Sequence, residues 1–237
     1  MKKTIVLVTL VLIASGCTKG SNEQATSDAM SLGAGDTAMQ SGAIAGHGDS
    51  ATMSGRMTVS EDVEKDMSMM NDMMVSDLGE GDSLFDHRFI DMMIPHHEGA
   101  IMMARNAQRE ATRPELLKLA ETIIAGQQKE VDQMKEWRAK WYGVNSPNGM
   151  ANSSEMMNHV SMMNDMMVKQ LGRKGANYES GFIGMMIPHH AGAIMMAEHA
   201  QARATHAEIR KLSQSIIGAQ KQEVAQMERW RAQWYGR

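Results

Sequence analysis

The chain has 237 residues and a formal net charge of −4, with 24 Lys and Arg against 28 Asp and Glu. No basic stripe or Lys/Arg-rich run interrupts it, so the electrostatic footprint of a nucleic-acid binder is missing. Methionine is the anomaly: 27 Met stand beside three Phe and three Tyr, so thioethers occupy positions where Leu and Phe would ordinarily fill a core.

The N-terminus, MKKTIVLVTLVLIASGC, places two lysines before an apolar run, Thr4–Ala14, that is too short for a spanning helix. It reads as a secretory signal over residues 1–16. The tail Ala14-Ser15-Gly16-Cys17 resembles a bacterial lipobox, which implies cleavage before Cys17 and lipidation of its thiol. Cys17 is the only cysteine, and a lone thiol in an exported chain needs such an explanation. Thr18 follows it in place of an inner-membrane retention Asp. The implied address is therefore the cell envelope, on the periplasmic face of the outer membrane if the cell is Gram-negative. Residues 17–60 are rich in Gly, Ser, Ala, Thr and Asp without apolar periodicity, as in a flexible tether. Met30, Met39, His47, Met53 and Met57 in it read either as chance or as a loose metal-collecting arm.

From residue 61 onward the pattern is helical throughout and the expected fold class is all-α. The periodicity predicts helices over about Glu61–Leu78, Ser83–Gln108 and Arg113–Tyr142, and again over Ser154–Leu171, Asn177–Gln201 and His206–Tyr235. Gly79 and Gly172 suit helix C-termini. Thr112-x-x-Glu115 and Thr205-x-x-Glu208 fit capping boxes, and Pro114 sits where a first turn tolerates proline. Residues 143–152 link the two triplets.

The second triplet repeats the first. At an offset of 93 residues, Met67–Gly143 aligns without a gap on Val160–Gly236, with 44 of 77 positions identical. A two-helix hairpin cannot cover its own apolar face, whereas two related hairpins cover each other. The expectation is one domain, 61–237, with repeats 67–143 and 160–236: a ferritin-like four-helix bundle with an extra short helix before each hairpin.

The phrase MMIPHH, at 92–97 and 185–190, lies at the heart of each copy. On a helical wheel Phe89, Met92, His96, Ala100, Met103 and Ala107 form one core-facing stripe, with His97, Ile90, Ile94 and Ile101 beside it. A lone His on such a stripe is usually a satisfied core residue. Here the same pair recurs among the same Met neighbours, although nearly half the aligned positions differ. Pro95 has two readings: the helix begins near Ile94, or it runs through and loses the bond to the Asp91 carbonyl. Reflection about the hairpin turn sets His96 near Gln127, a polar residue in an apolar stripe, with Glu130 a turn beyond. Gln127 and its copy Gln220 are candidates to orient an imidazole, and Glu130 reads equally as solvent-exposed. The first helix adds Met69, Met70, Met73 and Met74, repeated as Met162, Met163, Met166 and Met167; one face of each must pack. With no thiolate in the mature chain and no Glu-x-x-His motif, imidazole with thioether suits Cu(I) or Ag(I) better than zinc or a di-iron centre.

The pattern F-I-x-M-M-I-P-H-H-x-G-A-I-x-M-A, at Phe89–Ala104 and Phe182–Ala197, resembles the DUF305 family. The resemblance covers nearly all of 61–237. It implies a helical bundle that binds copper outside the cytoplasm for sequestration or resistance. It carries the metal positions over to Met92, Met93, His96, His97, Met102 and Met103, and to Met185, Met186, His189, His190, Met195 and Met196. Asp91 becomes Gly184 and Asn106 becomes His199, so the halves need not bind alike. The expected partners are a metal ion, a membrane reached through the lipid, and a copper-handling protein. No nucleophile triad or phosphate loop suggests an enzyme. The rival reading is a metal-independent bundle whose Met-rich surface grips other helices.

Overall fold

Six α-helices follow one another: α1 Glu61–Leu78, α2 Phe85–Glu110, α3 Pro114–Tyr142, α4 Ser153–Leu171, α5 Tyr178–Arg203 and α6 Ala207–Tyr235. This computed structural model describes residues 61–147, 149, 153–172, 175 and 177–236, all within one compact unit, Thr52–Arg237. The expected signal segment, Cys17 and the tether lie outside the described residues. No described helix is long and apolar enough to cross a membrane.

The all-α expectation holds, and the helix ends agree with the periodicity to within two residues. Gly79 and Gly172 follow α1 and α4 at φ of 66° and 70°, the left-handed conformation that only glycine adopts cheaply. Both readings of Pro95 are decided together: α2 runs through it, and α5 through Pro188.

Each long pair, α2 with α3 and α5 with α6, forms a hairpin, and the hairpins meet through α2 and α5. The short helices cross over. α1 packs chiefly on α5 of the other half, and α4 on α2. This explains why α2 is apolar on two neighbouring stripes. Phe89, Met92, His96, Ala100 and Met103 are buried, and so are Ile90, Ile94, His97 and Ile101. A helix covered on several sides keeps only a narrow wet stripe, here Glu98, Arg105 and Arg109. Glycine permits the closest approach. A Cβ on Gly99 would stand 2.2 Å from Asn164 Oδ1, and one on Gly192 would stand 2.2 Å from Asn71 Oδ1.

The capping boxes do not form. The N-caps are Arg113 and His206, and neither has a side-chain cap bond. The carboxylate of Glu179 on α5 accepts instead from the Thr112 backbone N–H at 2.8 Å and from its hydroxyl at 2.6 Å. Asp86 on α2 does the same for Thr205, at 3.0 and 2.6 Å, and also accepts from the His206 N–H at 2.7 Å. An ionised carboxylate forms stronger hydrogen bonds than a neutral threonine oxygen and sits well at a helix N-terminus. Burial alone would raise both carboxyls, but these bonds outweigh it and hold Asp86 and Glu179 below the usual carboxylate range. Each half thus caps the other. Stacking seals the same corners: Trp141 on His206 at 3.8 Å, and the Arg113 guanidinium over Trp234 at 4.3 Å.

Candidate metal centre

The central helices bring the two copies of one histidine face to face. The rings of His96 and His189 lie 4.0 Å apart, centroid to centroid, and both residues are about 5% exposed or less. They border a cavity of about 20 Å³, room for a single water or ion. The rest of the wall comes from the short helices: Met67, Met70, Asn71 and Met74 of α1, and Val160, Met163, Asn164 and Met167 of α4. The wall therefore repeats by the duplication, with one departure, Val160 in place of a sixth thioether.

Crossing fixes this wall. Asn71 donates through Nδ2 to the Pro188 carbonyl at 3.0 Å, and Asn164 to the Pro95 carbonyl at 3.1 Å. The prolines sit one residue before the histidines, so the asparagines pin each short helix beside the ring of the opposite half. Neither asparagine has a sequence signal marking it as part of the site. Its recurrence in both copies is the only clue.

The adjacent histidines are held differently. His97 Nε2 lies 2.9 Å from Glu130 Oε2, and His190 Nε2 lies 2.7 Å from Glu223 Oε2. Glu130, read as equally suited to solvent, is the actual partner, one helical turn from the expected Gln127. A carboxylate acceptor places the proton on Nε2 and leaves the lone pair on Nδ1. Nδ1 of all four histidines is buried with no hydrogen-bond partner. Gln127 and Gln220 are buried too, and neither amide atom of either has a partner, so they bond to none of the four rings.

The methionines divide by helix. Met92, Met93 and Met196 pack into one apolar cluster, and Met103, Met185 and Met186 into another. Met102 and Met195 are half-buried and do not border the cavity. Of the twelve positions the resemblance implied, His96 and His189 face the cavity, His97 and His190 stand next to them, and the eight methionines lie off its wall. The cavity thioethers come from α1 and α4, whose inward face no single-helix wheel could identify. Among the described residues no three His, Cys, Asp or Glu side chains converge; the other donors on the cavity wall are thioethers and the amides of Asn71 and Asn164.

Burial holds the His96 imidazole down to about 3, and His97 and His190 add to the effect; burial likewise holds His189 well below its usual value, with His96 next. A folded-state value below the unfolded one means that the unfolded chain binds protons first as pH falls. The metal-free protein should therefore lose stability between pH 6.5 and 5, by about 2 kcal/mol from His96, with His189 acting in the same direction. Urea unfolding at the two pH values measures this. A stability that stays flat, or rises, on acidification would contradict the burial of neutral rings.

The family model "Domain of unknown function (DUF305)" matches residues 21–138 and 86–231. No curated protein matches the chain. Among solved structures, CopM in its Cu(I)-bound form is 37% identical over 63% of this chain and 97% of that one, with a TM-score of 0.52. The silver-bound form of CopM obtained by co-crystallisation gives the same identity, coverage and TM-score. A DUF305 protein of Streptomyces coelicolor, named as a candidate secreted protein, is 23% identical over 65% of this chain and 94% of that one, with a TM-score of 0.54, and it supports the fold alone. With two overlapping matches that together span most of its length, the chain belongs to the DUF305 family.

Proposed function

We propose that this chain binds a monovalent soft metal ion, Cu(I) or Ag(I), at the His96–His189 cavity, and serves in copper sequestration, resistance or transfer at the cell envelope. One observation carries the reading: His96 and His189, each with a buried Nδ1 that has no partner, border a thioether-lined space for one ion, and the Nδ1 atoms of the neighbouring His97 and His190 have no partner either. Buried polar atoms left without a partner are costly, and a ligand that uses them explains the cost. The donor set fits the ion, since neutral thioether and imidazole favour Cu(I). CopM, similar in sequence and fold, has been solved with Cu(I), silver and Cu(II) bound. His96 and His189 would supply nitrogen from the wall, with His97 and His190 next to them, and sulfur would come from among Met67, Met70, Met74, Met163 and Met167. Lipidation at Cys17 would tether the protein to the membrane, and a copper-handling protein would exchange the ion. Binding, with no reaction catalysed, is the whole of the proposed role.

Anaerobic titration against a chromogenic Cu(I) chelator tests it, with Ag(I) and Zn(II) for comparison. The expected order is Cu(I) and Ag(I) tight and Zn(II) weak. Changing all four histidines to Ala should abolish chelator-resistant binding. A quadruple variant that binds like wild type would end the proposal. A melting temperature indifferent to Cu(I) would favour a metal-independent partner-binding bundle. For the anchor, Cys17→Ser should release the protein from envelope membranes; continued membrane retention would refute lipid attachment at that residue.

A further inference from the structure

The short helices spend methionine twice. Met70 and Met74 of α1, and Met163 and Met167 of α4, border the cavity. The residue before each points outward: Met69 is 55% exposed, Met73 40%, Met162 67% and Met166 44%. These four are the exposed methionines among the described large hydrophobics. Packing accounts for the inner set and leaves the outer set unexplained.

Their arrangement suits a ligand. In each helix the outer pair is spaced i, i+4, where neighbouring Cβ atoms are about 5–6 Å apart. Two unbranched thioethers at that separation can close on one ion. Sulfur from two neutral side chains selects monovalent soft metals over zinc, calcium or magnesium. The half-buried Met70 and Met163 follow directly in sequence and line the cavity, so a thioether stands at each intermediate depth. Charge distinguishes the two clips. Among the described side chains α1 exposes Asp66, Asp72 and Asp77 against Lys65, and α4 exposes Asp165 against Lys169. An acidic surface concentrates cations near it.

We propose that Met69 with Met73, and Met162 with Met166, form two exposed bis-thioether sites for Cu(I) or Ag(I), distinct from the buried cavity and placed to capture an ion at its threshold. This rests on the soft-metal reading of the cavity and adds two sites to it. The clip on α1 fills first, because its helix carries the stronger negative charge.

The test uses the full chain labelled with methyl-¹³C methionine and titrated anaerobically with Ag(I). The variant M69L/M73L/M162L/M166L identifies the four outer methyl signals by their loss. In wild type these signals should shift on Ag(I) addition, those of α1 before those of α4. The variant should bind two fewer equivalents, one per clip, while its Met70 and Met163 methyls still respond. Outer methyls that stay still while Met70 and Met163 move, or equal stoichiometry in the two proteins, would overturn the outer sites and leave the cavity standing. If Met70 and Met163 stay still as well, the cavity reading falls too.

Discussion

Replacing His96 and His189 together by Leu should make the metal-free protein more stable and the metal-treated protein less so. The two rings meet at 4.0 Å in a buried site, and neither Nδ1 has a hydrogen-bond partner. A buried polar atom left unpaired costs about 1–3 kcal/mol, whereas an apolar side chain of similar size incurs no such cost. The metal-free double variant should therefore gain about 1–3 kcal/mol in urea unfolding. An ion bound at 100 times its Kd contributes about 2.7 kcal/mol to the folded state, and the variant should lose the cavity's share of that gain. The opposed signs separate a binding site from a core. If the variant is less stable without metal and still responds fully to Cu(I), the rings are ordinary structural histidines. The trade is familiar at functional sites, where stability is given up for chemistry.

Gly192→Ala and Gly99→Ala should destabilise by about 2–3 kcal/mol each, whereas Gly126→Ala and Gly218→Ala should stabilise by about 0.5–1 kcal/mol. All four glycines lie within helices, where alanine is intrinsically preferred. Only their surroundings differ. A methyl on Gly192 would stand 2.2 Å from Asn71 Oδ1 and 3.2 Å from His96 Nε2. The asparagine is buried and donates to the Pro188 carbonyl, so it cannot swing aside without losing that bond. Gly99 meets Asn164 in the same way, while Gly126 and Gly218 face nothing within 4 Å. Chemical denaturation of the four single variants reads the signs directly. The first pair should also weaken Cu(I) binding, because the displaced asparagine is part of the cavity wall. A Gly192→Ala protein as stable as the exposed-site variants would show that α1 does not pack on α5 as described.

The expected metal-ion effects depend on which methionines face which way, and this is where sequence and structure part. Local signals are strong enough to read alone. The 3.6-residue period, the glycines after α1 and α4, and the offset of 93 residues identify six helices in two related halves. The same period puts His96 and His189 on a core-facing stripe. Reflection about a tight turn then sets Gln127 beside His96, and the residue that makes a contact, Glu130, stands one helical turn further on and bonds the adjacent His97.

Tertiary packing decided everything that needs a partner to be known. A period reports that a face is buried and is silent about what covers it. On that account Met92, Met93 and Met103 have the same signature as ligands on a site wall, and only the crossing of α1 onto α5 and α4 onto α2 assigns them to the core and gives the cavity to Met67, Met70, Met74, Met163 and Met167. The caps follow the same logic. Thr112 and Thr205 carry the local capping pattern, yet a charged carboxylate arriving from the other half, Glu179 or Asp86, binds the same donors more strongly. The helices and the inward histidines are legible in the chain because each arises from interactions within a few turns, and the duplication because it is written in the residues at a fixed offset. Which helix of one half meets which of the other, and therefore which sulfurs face the imidazoles, was decided by contacts such as those 67 and 120 residues apart along the chain.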